Sequence, residues 1–480
     1  MRGGIVRVHS VRAVGVLAIL GLGLLGAISL TPAKADAAQR TLVVSPHGSD
    51  SNAGTATAPL RTIQVAVGRL ASVGEVELRG GIYHQRVRLA GVHGVTISPY
   101  PHEHPILSGF GLTPPSGLTA LIEIADSSAV TVRGLDLTGY RSAKLGVTPA
   151  GIYVHGHDTS IQIVGNHVHD LGNDNGTLGS FDINAHGIAA YGDDPHAPIS
   201  KLTIRDNVVE HLHLGASETV VVNGNVDGWA IEGNRIQDNN NIGIDAIGFE
   251  PTLSGKYRYT TLNRARNGLI AGNTIARIQS RGNPAYWEGT TNEVADWCNC
   301  ADGVYVDGGT HIVVRSNQVI DSDIGIEVAA ENPRGSADHV LVSYNNVTGS
   351  LYTGITTGGY CNGADACGGV NTGTSHDNTF EYNSLRGNNR LDDGSPELLV
   401  QYYASHDTFT HNTIVATNSG HVVYGTVPGG SENGNRSDYN HFQVVGANST
   451  AAEFAWSGHV YSSFGAYRHA TGQDQHSTFS

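Results

Sequence analysis

The sequence predicts an all-β protein: a single-stranded right-handed parallel β-helix, or solenoid, with an N-terminal capping helix and long loops on one face. Two short motifs that recur along the chain predict the strands of this solenoid. The composition agrees with them, because 63 Gly, 1 Met and only 15% charged residues suit short strands joined by tight turns. A repeat array of this kind forms one continuous body at any length.

The first motif has the pattern apolar-x-x-Asn-x-apolar. Asn tolerates left-handed backbone angles, and its amide can hydrogen-bond to the equivalent amide one coil away. We therefore expect a ladder of asparagines at one corner of the solenoid. The motif reads IVGNHV, IRDNVV, IEGNRI, IAGNTI, VRSNQV, VSYNNV, FEYNSL and FTHNTI, and its asparagines are Asn166, Asn207, Asn234, Asn273, Asn317, Asn345, Asn383 and Asn412.

The second motif, Gly-apolar-x-apolar, is GIDA at Gly243, GVYV at Gly303, GIEV at Gly325 and GITT at Gly354. Side chains alternate between the two faces of a strand, so the second and fourth residues point into the stack and the third points out. The outward residues of consecutive coils are then Asp245, Tyr305, Glu327 and Thr356, with Asp307 two residues after Tyr305. Neighbouring coils lie about 4.8 Å apart, so the α-carbons of Asp307 and Glu327 should be roughly 8 Å apart.

Both ends of the chain are predicted from composition. Residues 1–37 join a basic segment to the apolar run AVGVLAILGLGLLGAISL, which indicates a secretory signal peptide and therefore a secreted, extracellular protein. Residues 38–110 hold the N-terminal cap and first coils, with a helix around Thr62 to Leu70 covering the open end of the stack. Residues 111–445 hold the repeats and residues 446–480 a C-terminal cap or tail. We expect a monomer.

The charge of the chain argues against two classes of binding partner, and its cysteines suggest disulfides. The net charge of −15 and the scarcity of Lys argue against nucleic acid and against an anionic membrane surface. Outside the cell, cysteines pair as disulfides, which we expect to fasten the two loops that carry them; a zinc site is the alternative. The four cysteines are Cys298, Cys300, Cys361 and Cys367.

Long insertions at 249–267, 279–301 and 358–370 interrupt the coils beside the outward acids. Aromatic rings stack on sugar faces and Arg donates to hydroxyls or carboxylates, so these loops suit a saccharide site. The alternative is that the rings only pack the loops onto the solenoid. The substrate-binding candidates are Tyr305, Arg258, Arg264, Tyr286, Trp287 and Trp297.

Over its mature length the chain resembles the pectin-lyase-like superfamily, and the stretches GVYVDGG and DIGIEV resemble the active-site strands of β-helical glycoside hydrolases of the β-xylosidase type, family 120. The second resemblance implies that Asp307 is the nucleophile and Glu327 the acid/base. It departs from that family at Gly308, where the family has an aromatic residue.

The outward acids therefore predict a glycoside hydrolase that uses a carboxylate pair and no cofactor, with Asp245 and Asp307 raising the pKa of Glu327 by repulsion. Asp302, which precedes a Gly, is assigned to a turn. A polysaccharide lyase or uronate epimerase is the alternative; it would use Lys256, Arg258 or Tyr305 as base and the acids as calcium ligands. A non-catalytic glycan-binding solenoid is the third hypothesis.

Histidines alternate with apolar residues along three strands. This spacing is typical of outward polar positions on a strand, and a metal site among them is the alternative. The residues are His155, His157, His167, His169, His211 and His213.

Overall fold

Three long sheets of short strands wind around one apolar core in a computed structural model of the chain. The structure describes residues 40–70, 73–289, 297–361, 371–417, 422–426, 434–446, 452–456 and 458–480. Nearly every strand pairs in parallel with the strand one coil away, as in the pair Arg40–Val44 and Gly74–Leu78. The predicted all-β parallel β-helix is thereby confirmed. The predicted signal peptide lies outside the described residues, and export and the monomeric state remain predictions.

We number the sheets 1 to 3. Sheet 1 contains Arg40–Val44, Gly74–Leu78, Val95–Pro99, Thr131–Arg133, Gln162–Val164, Ile199–Arg205, Val226–Glu232, Arg266–Ala271, Thr310–Arg315, Leu341–Ser343, Thr379–Glu381, Thr408–Thr410 and Arg436–Asp438, joined by Ser336–Asp338, Thr374–His376 and Ala404–Ser405. Sheet 2 contains Val87–Ala90, Gly117–Ala125, Val147–His155, His186–Gly192, Val220–Gly224, Ile244–Ile247, Asp302–Asp307, Ile324–Ala329, Thr353–Thr357, Leu398–Val400, Val422–Thr426, Glu453–Trp456 and the antiparallel His459–Tyr461.

Sheet 3 contains Gly81–Tyr83, Pro105–Ser108, Asp136–Thr138, His167–His169, Val208–Glu210, Arg235–Asn239, Thr274–Ile278, Gln318–Ile320, Asn346–Thr348, Ser384–Arg386, Thr413–Ala416, His441–Val444 and Thr478–Phe479. Arg141–Ser142 and Gly172–Asn173 pair with each other outside these sheets. The helical segments are the α-helices Ile63–Leu70 and Phe464–Thr471 and the short 3₁₀ turns Gly255–Tyr257 and Pro284–Tyr286.

The asparagine ladder forms as predicted. The backbone N–H and the side-chain amide of Asn273 both donate to Oδ1 of Asn317, at 3.0 Å each, and the same pair of bonds recurs from coil to coil. The ladder also continues to Asn440, which lacks the motif because Ser437 stands where the pattern has an apolar residue. The expectation that the asparagines adopt the left-handed backbone angles was wrong. The left-handed residue is the one before each asparagine, such as Ser316 with φ 56° or Gly272 with φ 64°.

Both ends of the core are covered. The helix Ile63–Leu70 buries Ile63, Ala66, Val67 and Leu70 in the common core, where the sequence placed a cap. At the other end, Tyr467 of the second helix is buried and stacks on Phe454, with ring centroids 5.1 Å apart. Covering the apolar ends in this way hides the edges of the stack from solvent.

The cysteines do not pair as expected. Cys298 and Cys300 form a disulfide with each other, so this bond closes a turn within one loop and does not join two loops. Cys361 is also disulfide-bonded, whereas Cys367 lies outside the described residues. Within the described part of the chain, no helix combines the length and the apolar character needed to cross a membrane.

Candidate active site

The outward residues of sheet 2 align as predicted. Asp245 lies opposite Tyr305, and Tyr305 lies opposite Glu327 on the next strand. Asp307 lies opposite Ala329, two residues beyond Glu327, so the two acids are diagonal neighbours on one face. Their apolar neighbours Val304 and Val306 point into the core and are fully buried. The alternation of the strand therefore places these acids on the outside of the coil.

This outer face is not open to solvent. Asp245 is only 2% exposed, and Asp307 and Glu327 are each 5% exposed. A cleft of about 520 Å³ remains above the strands, and its walls include Asn184, Tyr191 and Tyr286. We call it the acid cleft after the carboxyl groups that line it, which belong to Glu218, Asp245, Glu250, Asp307 and Glu331.

Three of these acids were not predicted, and each lies next to the end of a strand of sheet 2. Glu218 precedes the strand Val220–Gly224, Glu250 follows Ile244–Ile247, and Glu331 follows Ile324–Ala329. Glu331 also fixes its neighbour, because its backbone N–H donates to Oδ1 of Asp307 at 2.7 Å. The acids thus reach the cleft from several consecutive coils.

Burial and mutual repulsion raise the pKa values of Asp245 and Asp307. Burial raises the pKa of Asp245, and the neighbouring carboxylates of Glu218 and Asp307 raise it further. Among the described residues, Oδ1 of Asp245 is buried without a hydrogen-bond partner. The pKa of Asp307 is raised by burial and by Glu331, although the N–H bond from Glu331 acts in the opposite direction by favouring the charged form.

Glu327 lies on the same face but is not among the residues that line the acid cleft. Burial raises its pKa first, followed by repulsion from Glu331, and a hydrogen bond with Asp302 opposes the rise. The assignment of Asp302 to a turn was wrong: it begins the strand Asp302–Asp307 and is buried beside Glu327. Tyr305 packs against Ile242 and Ala329 and is also buried.

One predicted binding residue, Tyr286, lines the acid cleft, and a second, Arg258, acts on a lining acid. The hydroxyl of Tyr286 accepts a bond from Nδ2 of Asn241 at 3.4 Å. Arg258 donates from Nε to the carbonyl of Phe249 at 3.2 Å, and its charge lowers the pKa of Glu250 against the effect of burial. Arg258 is therefore close enough to the lining residue Glu250 to affect its charge, although it does not line the cleft itself.

Three predicted binding residues, Arg264, Trp287 and Trp297, do not line the acid cleft. Arg264 is buried and donates to the carbonyls of Gly308 and Gly309 and, at 2.6 Å, to Asp338, so its guanidinium holds the coils together. Trp287 and Trp297 form a backbone bridge with each other within their loop. Neither Trp belongs to the lining of the acid cleft.

Comparison with known proteins finds a relative that matches most of the chain. No family model matches the chain. It is 34% identical over 448 residues to the uncharacterized protein YwoF of Bacillus subtilis (strain 168), a match that covers 91% of this chain and 87% of YwoF. A shorter match, 31% identical over 119 residues, covers 23% of this chain and 29% of the pectate lyase PEL9 of Emericella nidulans.

A solved structure supports the fold. The GH136 lacto-N-biosidase of Eubacterium ramulus superposes with a TM-score of 0.56 at 14% identity, covering 84% of this chain and 68% of that one. An identity this low shows only that the two proteins share the β-helix fold. The match to YwoF covers most of both chains at an identity above 30%, and the chain therefore belongs to the same family as YwoF.

Proposed function

We propose that this protein is a glycoside hydrolase that acts on a neutral saccharide in the acid cleft. The observation that carries the proposal is the set of carboxyl groups that face one cleft, two of which, Asp245 and Asp307, are buried and have raised pKa values. Such crowding costs stability and is typical of catalytic sites. The fold shared with a lacto-N-biosidase agrees with this proposal, as does the resemblance to family 120.

Glycoside hydrolysis needs one ionised carboxylate and one carboxylic acid that still holds its proton. Of the two buried acids, Asp307 is better suited to the ionised role, because the N–H of Glu331 favours its charged form against the effect of burial. Asp245 suits the acid role, because Glu218 and Asp307 both repel a charge there. We therefore propose that Asp307 is the nucleophile or base and Asp245 the proton donor; the family 120 resemblance instead gives the proton donor as Glu327.

The electrostatics favour a neutral substrate. Among the described residues that line the acid cleft, none is Lys or Arg, and Arg258 acts on only one of the five lining acids, Glu250, so a polyuronate would meet mainly negative charge or neutral acids. A lyase or uronate epimerase needs a cation to neutralise the substrate carboxylate. That second candidate is favoured by the short match to pectate lyase PEL9 and by the partnerless Oδ1 of Asp245, an atom suited to a calcium ion.

The test compares the wild-type protein with Asp307→Asn, Asp245→Asn and Glu327→Gln on neutral and uronic polysaccharides, with and without a calcium chelator. New reducing ends and the ultraviolet absorbance of unsaturated uronates are followed together. We expect reducing ends alone, indifferent to chelation, and a loss of roughly 10²–10⁴-fold in Asp307→Asn and in Asp245→Asn. Glu232→Gln, on sheet 1, is the control and should stay near the wild-type rate.

Each other outcome has its own meaning. If Glu327→Gln abolishes the reaction and Asp245→Asn does not, the proton donor is Glu327 and our assignment of Asp245 is wrong. Absorbance that disappears with the chelator would identify a calcium-dependent lyase. Binding of saccharide without any cleavage, unchanged in the variants, would identify the non-catalytic solenoid.

A further inference from the structure

Two histidines on sheet 3 form a pair outside the acid cleft. His167 and His169 are the first and last residues of the strand His167–His169, and Val168 between them is buried in the core. Alternate residues of a strand point to the same side, so both imidazoles stand on the outer face. Their rings stack with centroids 4.1 Å apart and an interplanar angle of 21°.

A carboxylate from the preceding coil reaches both rings. Asp136 lies opposite His167 in the register of sheet 3. Its Oδ1 is 3.0 Å from Nε2 of His169, and its Oδ2 is 3.7 Å from Nδ1 of His167. One ligand atom from each of the three residues lies within 4.8 Å of the other two, close enough to surround a single ion.

The remaining nitrogen of each ring meets a different carboxylate. Nε2 of His167 is 3.0 Å from Oε1 of Glu210, and Nδ1 of His169 is 2.6 Å from Oδ2 of Asp170. Glu210 is itself held by Nε2 of Gln237 at 2.7 Å. Histidines that bind a metal ion commonly donate their other N–H to a carboxylate, which fixes the tautomer and the ring orientation. Both rings are therefore arranged as metal ligands are.

We propose that Asp136, His167 and His169 form a binding site for a divalent transition metal ion, with Zn²⁺ as the ion of choice. Two imidazoles and one carboxylate match the donors of three-ligand zinc sites, which leave a further position open, whereas calcium prefers oxygen ligands alone. The site lies on sheet 3, and the acid cleft on sheet 2. The proposal therefore does not depend on the proposed glycosidase activity.

A second cluster of the same residue types serves as an internal control. His311 and His339 stack beside Asp338, but both oxygens of Asp338 are already engaged, Oδ2 by Arg264 at 2.6 Å and Oδ1 by Thr310 at 2.5 Å. A cation at Oδ1, the oxygen that faces His339, would have to compete with the Thr310 hydroxyl and would be repelled by the buried charge of Arg264. We expect no comparable zinc binding there.

The experiment titrates untagged, chelator-treated protein with Zn²⁺ by calorimetry and measures the unfolding temperature with and without the ion. We expect one zinc ion per chain in the micromolar range or tighter, and a higher unfolding temperature when it is bound. His167→Gln and His169→Gln should each weaken binding at least about 10-fold, and Asp170→Asn, which removes a supporting carboxylate, about 10-fold. The double variant His311→Gln/His339→Gln should bind as the wild type does.

The proposal is overturned if the wild type binds no zinc in this range, or if His167→Gln and His169→Gln bind as tightly as the wild type. Unfolding temperatures measured without metal show whether a variant is folded. Asp136→Asn keeps the size of the side chain and tests the same ligand set if either histidine variant fails to fold. Zinc bound with equal affinity by every variant would identify scattered surface histidines as the ligands.

Discussion

Single residues of the asparagine ladder carry much of the order of the coils. Asn345 is 1% exposed and donates from Nδ2 to the carbonyl of Val314 and to Oδ1 of Asn383. Its own Oδ1 accepts from the backbone and the side chain of Asn317. The amide of each ladder residue thus satisfies buried backbone groups on both sides of its coil, where no water is available to replace it.

We predict that Asn345→Ala lowers the free energy of unfolding by about 3 kcal/mol, because it leaves several buried donors and acceptors without partners. Urea unfolding followed by circular dichroism measures this change. The neighbouring residue offers a matched control: the side chain of Asn346 donates to Gln318 at the surface, and Asn346→Ala should cost less than about 0.5 kcal/mol. Equal effects of the two substitutions would show that the ladder does not stabilise the fold.

Phe181 is a residue that the sequence did not single out as a binding residue. It is 65% exposed, and the edge of its ring contacts Tyr286 with centroids 5.6 Å apart. Its carbonyl accepts a bond from Nδ2 of Asn184 at 2.9 Å, and both Asn184 and Tyr286 line the acid cleft. An exposed ring fixed beside the cleft is suited to stack on a sugar.

We predict that Phe181→Ala weakens saccharide binding roughly 2- to 10-fold, which corresponds to the loss of one aromatic contact. Binding is measured by calorimetry on the Asp307→Asn background, so that no substrate is consumed. Phe110, which is 78% exposed and follows a strand of sheet 3, provides the control substitution Phe110→Ala. An unchanged affinity in Phe181→Ala would exclude this ring from the binding surface.

At the scale of the strand and its turn, each coil bends at the residue before the ladder asparagine. Ser316 has φ 56°, a left-handed conformation that costs a residue with a Cβ about 1 kcal/mol relative to Gly. Several coils already have glycine there, as at Gly233 and Gly272. Others carry aromatic rings that stack between coils, such as Tyr344 and Tyr382 with centroids 4.9 Å apart.

We predict that Ser316→Gly raises the free energy of unfolding by about 0.5–1 kcal/mol, since it relieves the strained conformation at an exposed site. Chemical denaturation in urea measures the difference. Ser384 is a matched exposed serine inside a strand, and Ser384→Gly should instead destabilise by a similar amount. A loss of stability in Ser316→Gly would mean that the turn does not store strain.

The strands of sheet 2 show which parts of the site could be predicted from the sequence. The alternation of side chains along a strand predicted that Asp245, Tyr305 and Glu327 share one face, and the strand register confirmed that they are aligned. Glu218 and Glu331 were missed because they lie beyond strand ends, where no periodicity tells which way a side chain points. Their signal was weak: each is an acid within two residues of a strand of sheet 2.

At the scale of the whole molecule, repetition made the fold predictable and insertions made the site difficult. The recurring asparagine motif can be satisfied only if equivalent residues stack, so it defined the solenoid. The loop disulfide was predicted wrongly, because spacing alone does not determine which cysteines pair, and Cys298 bonds its near neighbour Cys300. The burial of the outward acids was also missed, since strand periodicity does not show which residues surround a side chain in space.

The whole β-helix contains buried acids with raised pKa values, and these determine how its stability varies with pH. Burial raises the pKa of Asp158 and of Asp407 to about 7 and that of Glu397 to about 8. Burial also raises the pKa values of Asp245 and Asp307 in the acid cleft. In an unfolded chain such carboxyl groups have pKa values of about 4.

We predict that the protein loses stability as the pH rises from about 5 to about 8. In this interval the folded state keeps protons that the unfolded chain has released, and stability falls with pH wherever the folded state binds more protons. Each group contributes at most about 1.4 kcal/mol per pH unit. Urea unfolding at a series of pH values measures the slope, and a stability that rises from pH 5 to 8 would contradict the prediction.

The substitution Asp407→Asn measures how much one of these buried acids contributes to the pH dependence of stability. Oδ1 of Asp407 accepts the backbone N–H of Asn378, and its own N–H donates to Oδ1 of Asn435, so an asparagine there would keep both bonds without a titrating proton. We expect Asp407→Asn to lose less stability than the wild type between pH 5 and 8. Asp438 is the control, because the bonds from His476 and Tyr439 lower its pKa against the effect of burial, so it is ionised in both states throughout this interval. Asp438→Asn should therefore leave the slope unchanged, and an equal slope in Asp407→Asn would show that Asp407 is already ionised in the folded protein.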